Sequence, residues 1–396
     1  MQIVASRELT HFPWNIGRLA EGEILLHAFT KESSYLECYD ADLRPLWEIC
    51  LDRRVLAMAV SRDGKPWVFD EGGVSVFDNR GQVLSRVDVQ MSEGMQLSAF
   101  AVVDDGFVCA CALDNERDLL APTLQRINSD GTVRWSTTIP VGTIACEGCV
   151  QSSADEGWKV RPVDAWQPLT WVSASSRLTV SGDAVLAGFV EMPRSGIGRA
   201  YSLSLDDGSI RFTTKTGPLH NVGALGDGAF LVGYQGYGAF ETLRYERNGF
   251  VQASWASQGH YVISGRDIRV IEVDNTIPSR SHIARLAKGG TVRKGAWLVD
   301  PQPSAPFLSE DGWLFFICNE ELLAARNLSI HKRLVLWPPD ISLFPTEIVG
   351  NATSIYLAFS QHSPNPFVAR LVRVDFERRP TLWARIARFL AGRASV

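Results

Sequence analysis

The sequence has no apolar run approaching the roughly 18 residues that cross a bilayer as a helix, which argues against a helical membrane span. Its start, MQIVASRELTHFPWN, has no basic segment followed by a long apolar stretch and does not read as a secretory signal. Basic charge is not in surplus: 39 Lys and Arg stand against 44 Asp and Glu, a net charge of −5. A nucleic-acid binder needs a concentrated basic surface, so that class is not expected. Gly-x-Ser-x-Gly, HExxH and phosphate-loop signatures are missing, and with them the common hydrolase, metalloprotease and nucleotide-site patterns. Gly233-Tyr-Gln-Gly236-Tyr-Gly238 is glycine-rich, but it lies between expected strands and opens no helix. Cysteine is sparse, odd in number at seven, and irregularly spaced. Without an export signal these residues are expected as reduced thiols of a cytoplasmic protein, and the general character of the chain suggests a bacterial one.

Glycine and aromatic residues are plentiful, with 33 Gly, 12 Trp and 19 Phe. Many turns combined with many large aromatics favour an all-β fold of short strands. One unit recurs: an alternating apolar strand, a tight polar turn, then a strand with an apolar residue two positions past the turn glycine. Leu124 to Trp135 around Gly131 is the clearest copy. Leu203 to Phe212, Leu243 to Val251, Ile283 to Val292 and Val74 to Leu84 match it around Gly208, Gly249, Gly290 and Gly81. Weaker copies without the glycine run Leu36 to Trp47, Ala325 to Trp337 and Leu371 to Phe376. Asp-Gly and Asn-Gly between alternating strands signal hairpins, because the turn needs φ > 0. The turns recur about every 40 residues, and two short strands precede most copies, which gives the four strands of a propeller blade.

The expected fold is therefore one closed β-propeller of about eight four-stranded blades over residues 1–379, with seven blades an open alternative. The blades are placed at 16–51, 55–90, 97–139, 172–216, 219–257, 260–300, 306–337 and 346–376. Gln2 to Ala5 is expected to close the last blade as its outer strand. Pro380 and Gly392 punctuate a short amphipathic helix in the C-terminal segment 380–396, with Leu382, Ile386, Phe389 and Leu390 as its apolar stripe. This helix either packs on the propeller or contacts a partner or a membrane surface.

The Asp-Gly turns followed by Trp or Phe resemble the repeats of pyrroloquinoline-quinone-dehydrogenase-like propellers, also described as WD40-like. That resemblance implies the fold alone. Enzymes of the family often set adjacent cysteines against the quinone, whereas Cys109 and Cys111 here are separated by one residue. Alternation puts both on one strand face, as small hydrophobes. Quinone binding is not carried over, and no cofactor is expected. Ser61-Arg-Asp63-Gly64-Lys-Pro-Trp67 is similar to the Asp-box of sialidase-like propellers but one residue short.

Loops joining second to third strands, and one blade to the next, share one propeller face. On that face the sequence places an insertion at 141–171 and long loops at Asp114 to Pro122, Glu191 to Arg199, Gln235 to Phe240 and Glu272 to His282. Long loops in compact domains often carry function. Trp158, Arg161, Trp166, Trp171, Arg194 and Tyr237 are the candidate contacts for a ligand or partner, since Trp, Tyr and Arg commonly anchor interfaces. The tryptophans serve equally well to fix the insertion onto the propeller. Cys146-Glu-Gly-Cys149 has zinc-knuckle spacing but no second pair, so free thiols are expected and no metal is assigned. His220 and His260 open the inner strands of adjacent blades near the channel mouth. They fit an acid–base or metal pair, or plain polar loop positions, and His282 joins them if its loop folds inward.

Two functions follow. The first is a non-catalytic binding propeller that holds a peptide, protein or small ligand on the face carrying the insertion. The second is a cytoplasmic propeller enzyme, a lyase, cyclase or hydrolase, with its site near His220 and His260.

Overall fold

The turns marked by glycine form as tight reversals in a computed structural model of the chain. Gly81, Gly131, Gly208, Gly249 and Gly290 have φ between 71° and 86°, where a side chain is strained. At the first of these the Asp78 carboxylate accepts the amides of Arg80 and Gln82, at 2.9 and 2.8 Å. The copies without glycine turn by other means. Leu43 takes φ of 64° behind Asp40, whose Oδ1 accepts two amides of the turn. The left-handed backbone costs about 1–2 kcal/mol. The buried Leu43 side chain offsets this by packing with Leu9, Ile16 and Leu371. Asn327 and Leu328, both at positive φ, make a two-residue turn.

The structure describes residues 1–91, 95–113, 123–139, 166–168, 178–191, 197–216, 219–236, 239–256, 259–264, 267–274, 280–287, 290–298, 306–309, 311–318, 321–336, 343–351, 353–361 and 368–376. Over these residues the hairpins assemble into eight antiparallel sheets. They span 12–51, 55–88, 95–138, 166–216, 219–255, 259–298, 307–335, and 343–375 together with 2–9, and are blades one to eight. The first strands of blades one to seven touch in succession around the axis, and that of blade eight touches that of blade one. Buried apolar residues of the described chain gather in eight clusters, one between each neighbouring pair of blades. A closed ring of eight blades follows, and the seven-blade alternative is excluded.

Closure is made by Gln2–Leu9, which pairs antiparallel with Ala369–Asp375 as the outer strand of blade eight. It is longer than the expected Gln2 to Ala5, and its last residue, Leu9, is buried in the seam against Ile16, Leu26 and Tyr356. Arg373 reinforces the seam from blade eight. It donates to the Ala41 carbonyl at 3.0 Å and to Asp42 at 2.8 Å.

Two inner strands are split. Trp166–Pro168 and Leu178–Ser181 both pair with Ala184–Glu191, and Leu343–Pro345 and Val349–Gly350 both pair with Ser354–Gln361. In the second case the Thr346 hydroxyl bridges the break by bonding both the amide and the carbonyl of Ala358, at 3.1 Å each. Apart from Trp166–Pro168, the insertion lies outside the described residues, as does the segment 380–396. No helix among the described residues is long and apolar enough to cross a membrane.

Candidate functional site

Aromatic residues of the outer strands lock blades one, three and four to the blades that follow them. Trp47, Trp135 and Phe212 occupy one register position, beside the bulge that follows the third-to-fourth-strand turn, where they face Cys38, Arg126 and Ser202. Each ring lies on the turn glycine of the following blade. A methyl on Gly81, Gly208 or Gly249 would come within 2.9, 2.6 and 2.7 Å of the Trp47, Trp135 and Phe212 rings. The indoles also donate forward, Trp47 to the Asn79 carbonyl at 2.7 Å and Trp135 to the Leu205 carbonyl at 2.8 Å. Trp255, placed two residues further along its strand, donates to Ala287 at 3.0 Å. Close approach of ring to backbone is possible because glycine carries no Cβ.

Blades two, five, six and seven lack a ring at this position, with Ser85, Ala253, Lys294 and Lys332 there, and blade two is the one flanked on both sides by blades that have it. Its equivalent residue, facing Val76 across the sheet, is Ser85. Over Gly131 of blade three, a Cβ would meet only the Val87 methyls, at 3.6 and 3.8 Å. Beside Ser85, between blades two and three, lies a cavity of about 710 Å³. It opens on the face of the short turns, opposite the face bearing the insertion. Trp67, Val76, Val102 and Val103 form its apolar wall, Leu84 and Ser85 flank it, and Ser61, Arg62, Asp63, Lys65, Asp104 and Ser129 supply the polar groups. The Trp67 ring is 6 % exposed and meets Phe107 edge-on, with centroids 6.0 Å apart. Ser129 stands where Asn79 accepts the Trp47 indole in the preceding joint.

The polar groups are held in place by local bonds. The Ser61 hydroxyl donates to Asp63, the Lys65 amide donates to Ser61 Oγ at 3.1 Å, and Lys65 Nζ lies 2.6 Å from Asp63. Lys65, and after it the Ser61 hydroxyl, hold the Asp63 carboxyl below its ordinary range. The resemblance of this segment to an Asp-box gains a structural explanation here. The same turn recurs at Ser309, whose hydroxyl donates to Asp311 at 2.7 Å and accepts the Trp313 amide at 3.0 Å. It is a way of reversing the chain between first and second strands.

A second cavity, of about 290 Å³, lies on the axis among the inner strands, lined in part by Asn15, Met58, Ala101, Thr179 and Glu347. Glu347 is the one ionisable group among its lining residues. Water reaches this side chain, yet protein surrounds it, and the loss of solvation raises its carboxyl pKa above the usual value.

Of the residues singled out in the sequence, His220 and His260 lie at the starts of Leu219–Gly226 and Gly259–Ser264, neighbouring inner strands, with His220 in a bulge. His282 does not belong to a loop. It lies in Arg280–Leu286, the third strand of blade six, and is fully buried there. The expected loop is shorter because pairing continues outward, from Glu272 opposite His282 to Asp274 opposite Arg280. The third strand is also two strands removed from the axis, so its residues do not line the channel. Trp166 lies in a short strand on blade four, opposite Glu191. Trp158, Arg161, Trp171, Arg194, Tyr237, Cys146 and Cys149 lie outside the described residues. Cys109 and Cys111 are buried on one face against Phe100 and Phe107, as small hydrophobes.

One polar cluster had no signal in the sequence. At the closure seam His11 Nδ1 lies 2.7 Å from Glu37 Oε1, the Tyr39 hydroxyl donates to the other Glu37 oxygen, and the imidazole stacks on Tyr35 at 3.8 Å. Glu48 brings a third ligand atom within 4.8 Å. Glu37 and Glu48 face each other across adjacent strands, and His11 comes from the connection into blade one. Folding of blade one brings these positions together.

No protein-family model matches the sequence, and no curated protein matches it. Solved structures do. The chain is similar to a europium-containing methanol dehydrogenase, with a TM-score of 0.57 at 10% identity over 95% of this chain and 93% of the other. It is similar also to the quinohemoprotein alcohol dehydrogenase from Comamonas testosteroni, with a TM-score of 0.55 at 9% identity over 96% and 77% of the two chains. A third is the quinohemoprotein alcohol dehydrogenase ADHIIG from Pseudomonas putida HK5, with 0.53 at 10% identity over 96% and 78%. At these identities the likeness is one of architecture: the chain has the β-propeller fold that these dehydrogenases share.

Proposed function

We propose that this chain is a non-catalytic binding propeller whose ligand enters the cavity between blades two and three. The observation that carries the reading is the cavity itself, beside Ser85, which stands where blades one, three and four carry the aromatic that packs on the next blade. Its volume is within the range of ligand sites, and it joins an apolar wall to a few fixed polar groups, the usual composition of such sites. This moves the proposed contact from the face of the insertion to the opposite one. The enzyme alternative draws less support, because the described lining of the axial cavity offers Glu347 without a second ionisable group to share a proton with it. A cytoplasmic setting belongs to the same reading, and the free thiols Cys38, Cys50, Cys109 and Cys111 agree with a reducing compartment.

The test is a thermal-shift screen of amino acids, carboxylates, sugars, nucleotides and short peptides on the wild type and on Ser85→Trp. A compound that raises the melting temperature of the wild type and has no effect on Ser85→Trp supports the cavity. Compounds that act equally on both proteins, or that are chemically converted, overturn the reading.

A further inference from the structure

We infer that the occupant of this cavity is an aromatic side chain, tryptophan by preference, presented by a peptide segment of a partner protein. The inference rests on the cavity being the ligand site. Its premise is that the propeller shows what this kind of slot holds. At three other joints the same position is filled by Trp47, Trp135 and Phe212, each lying on a glycine of the next blade. At the joint between blades two and three the receiving half persists. Gly131 has the same backbone conformation, with φ of 86°. Ser129 holds the place from which Asn79 accepts an indole N–H, and Val76 and Trp67 offer apolar wall. Only the inserted ring is missing, since Ser85 is too short to reach Gly131.

A ring supplied by another chain would find the contacts that the propeller makes with its own rings. A large planar side chain suits such a slot because it carries much apolar area on two rotatable bonds. An N–H at its edge selects indole, because a carbonyl acceptor stands at the corresponding place in the Trp47 and Trp135 joints. The surroundings favour a peptide over a free aromatic compound. Arg62 and Lys65 lie beside Asp63 and Asp104 at the cavity, so groups of both signs meet whatever flanks the ring. Leu84, 54 % exposed, adds apolar surface at the mouth.

The experiment is calorimetric titration of three blocked tripeptides, Gly-Trp-Gly, Gly-Leu-Gly and Gly-Ala-Gly, into the full chain. The expected order of affinity is Trp, then Leu, then Ala, with at least a tenfold gap between the first and the last. Ser85→Trp abolishes binding of the Trp peptide and Ser85→Ala preserves it. Leu84→Glu, a change at an exposed position, weakens it and serves as the control should Ser85→Trp fold poorly. Equal binding of the Trp and Ala peptides overturns the inference, as does a Trp peptide that binds Ser85→Trp or Leu84→Glu as tightly as the wild type. If no peptide binds while a screened small molecule is blocked by Ser85→Trp, the aromatic inference falls and the cavity reading stands. If the small molecule also binds Ser85→Trp unchanged, both fall.

Discussion

Replacing Ser85 by tryptophan should make the protein more stable, an unusual outcome for inserting a large side chain into a folded chain. The reason is geometric. The ring would enter a space of about 710 Å³ bounded by Ser129, in the same turn position as Asn79, whose carbonyl receives the Trp47 indole elsewhere. Burying roughly 150–250 Å² of aromatic surface at about 25 cal/mol per Å² gives an upper bound of about 4–6 kcal/mol. Ordering the side chain costs on the order of 1 kcal/mol. Part of the surface it covers is already shielded from water, so a net gain of about 2 kcal/mol is expected. With an unfolding entropy of about 2.1 cal/mol/K per residue, that raises the melting temperature by about 2–3 °C. The reciprocal change, Trp135→Ser, removes an indole that is 7 % exposed and bonded to Leu205, and should cost about 3–5 kcal/mol. Paired thermal and urea melts of the two variants are the assay. A drop in melting temperature for Ser85→Trp would show that the space is not an aromatic slot, and the argument from the other joints would fail.

His27 and the closing strand give two further predictions. His27 is 1 % exposed, and burial lowers its pKa from 6.5 to about 4. The unfolded chain therefore takes up a proton as pH falls below about 6.5, while the folded chain resists until about 4. The fold loses up to about 3 kcal/mol across that window and nothing above it. His27→Leu should flatten this loss in urea melts at pH 7 and pH 4.5, and an equal loss in both proteins would refute the assignment. Deleting residues 1–9 removes the strand paired with Ala369–Asp375 and opens the cluster around Leu9 and Leu371. A loss of several kcal/mol is expected from the exposed apolar surface alone. An unchanged melt would contradict closure by this strand.

The fold was legible because its information is local and repeated. Asp-Gly and Asn-Gly turns name their own geometry at Gly131, Gly208 and Gly249, and Gly81 and Gly290, in turns of other sequence, take the same positive φ. The closing strand was legible from what the last blade lacked. The split inner strands were not, because two short segments pairing with one strand leave no periodic trace. His282 was misplaced because polar residues at a strand end look like a loop, and the Glu272 to Asp274 pairing that extends the hairpin depends on the neighbouring strand. The cavity had a signal that a search for motifs passes over. Aligned on its turn, blade two carries Ser85 where its neighbours carry Trp47 and Trp135, an absence readable only once the joint shows what the aromatic does.

The ring is closed by its earliest strand, and that sets an order in time. Gln2 pairs with Asp375, so the closing strand waits while nearly the whole chain is made. At about 5–20 residues per second that interval is about 20–75 s. Throughout it, one edge of the growing ring and one free strand both offer unpaired backbone, an invitation to pair with another chain. Arg7 and Glu8 near the end of that strand, and Arg370 and Arg373 on the edge it must find, put charge on both halves of the joint before they meet. The same two edges pair equally well between newly made copies, so the yield of closed single chains on synthesis should fall as their concentration rises, while the stability of the closed ring does not change.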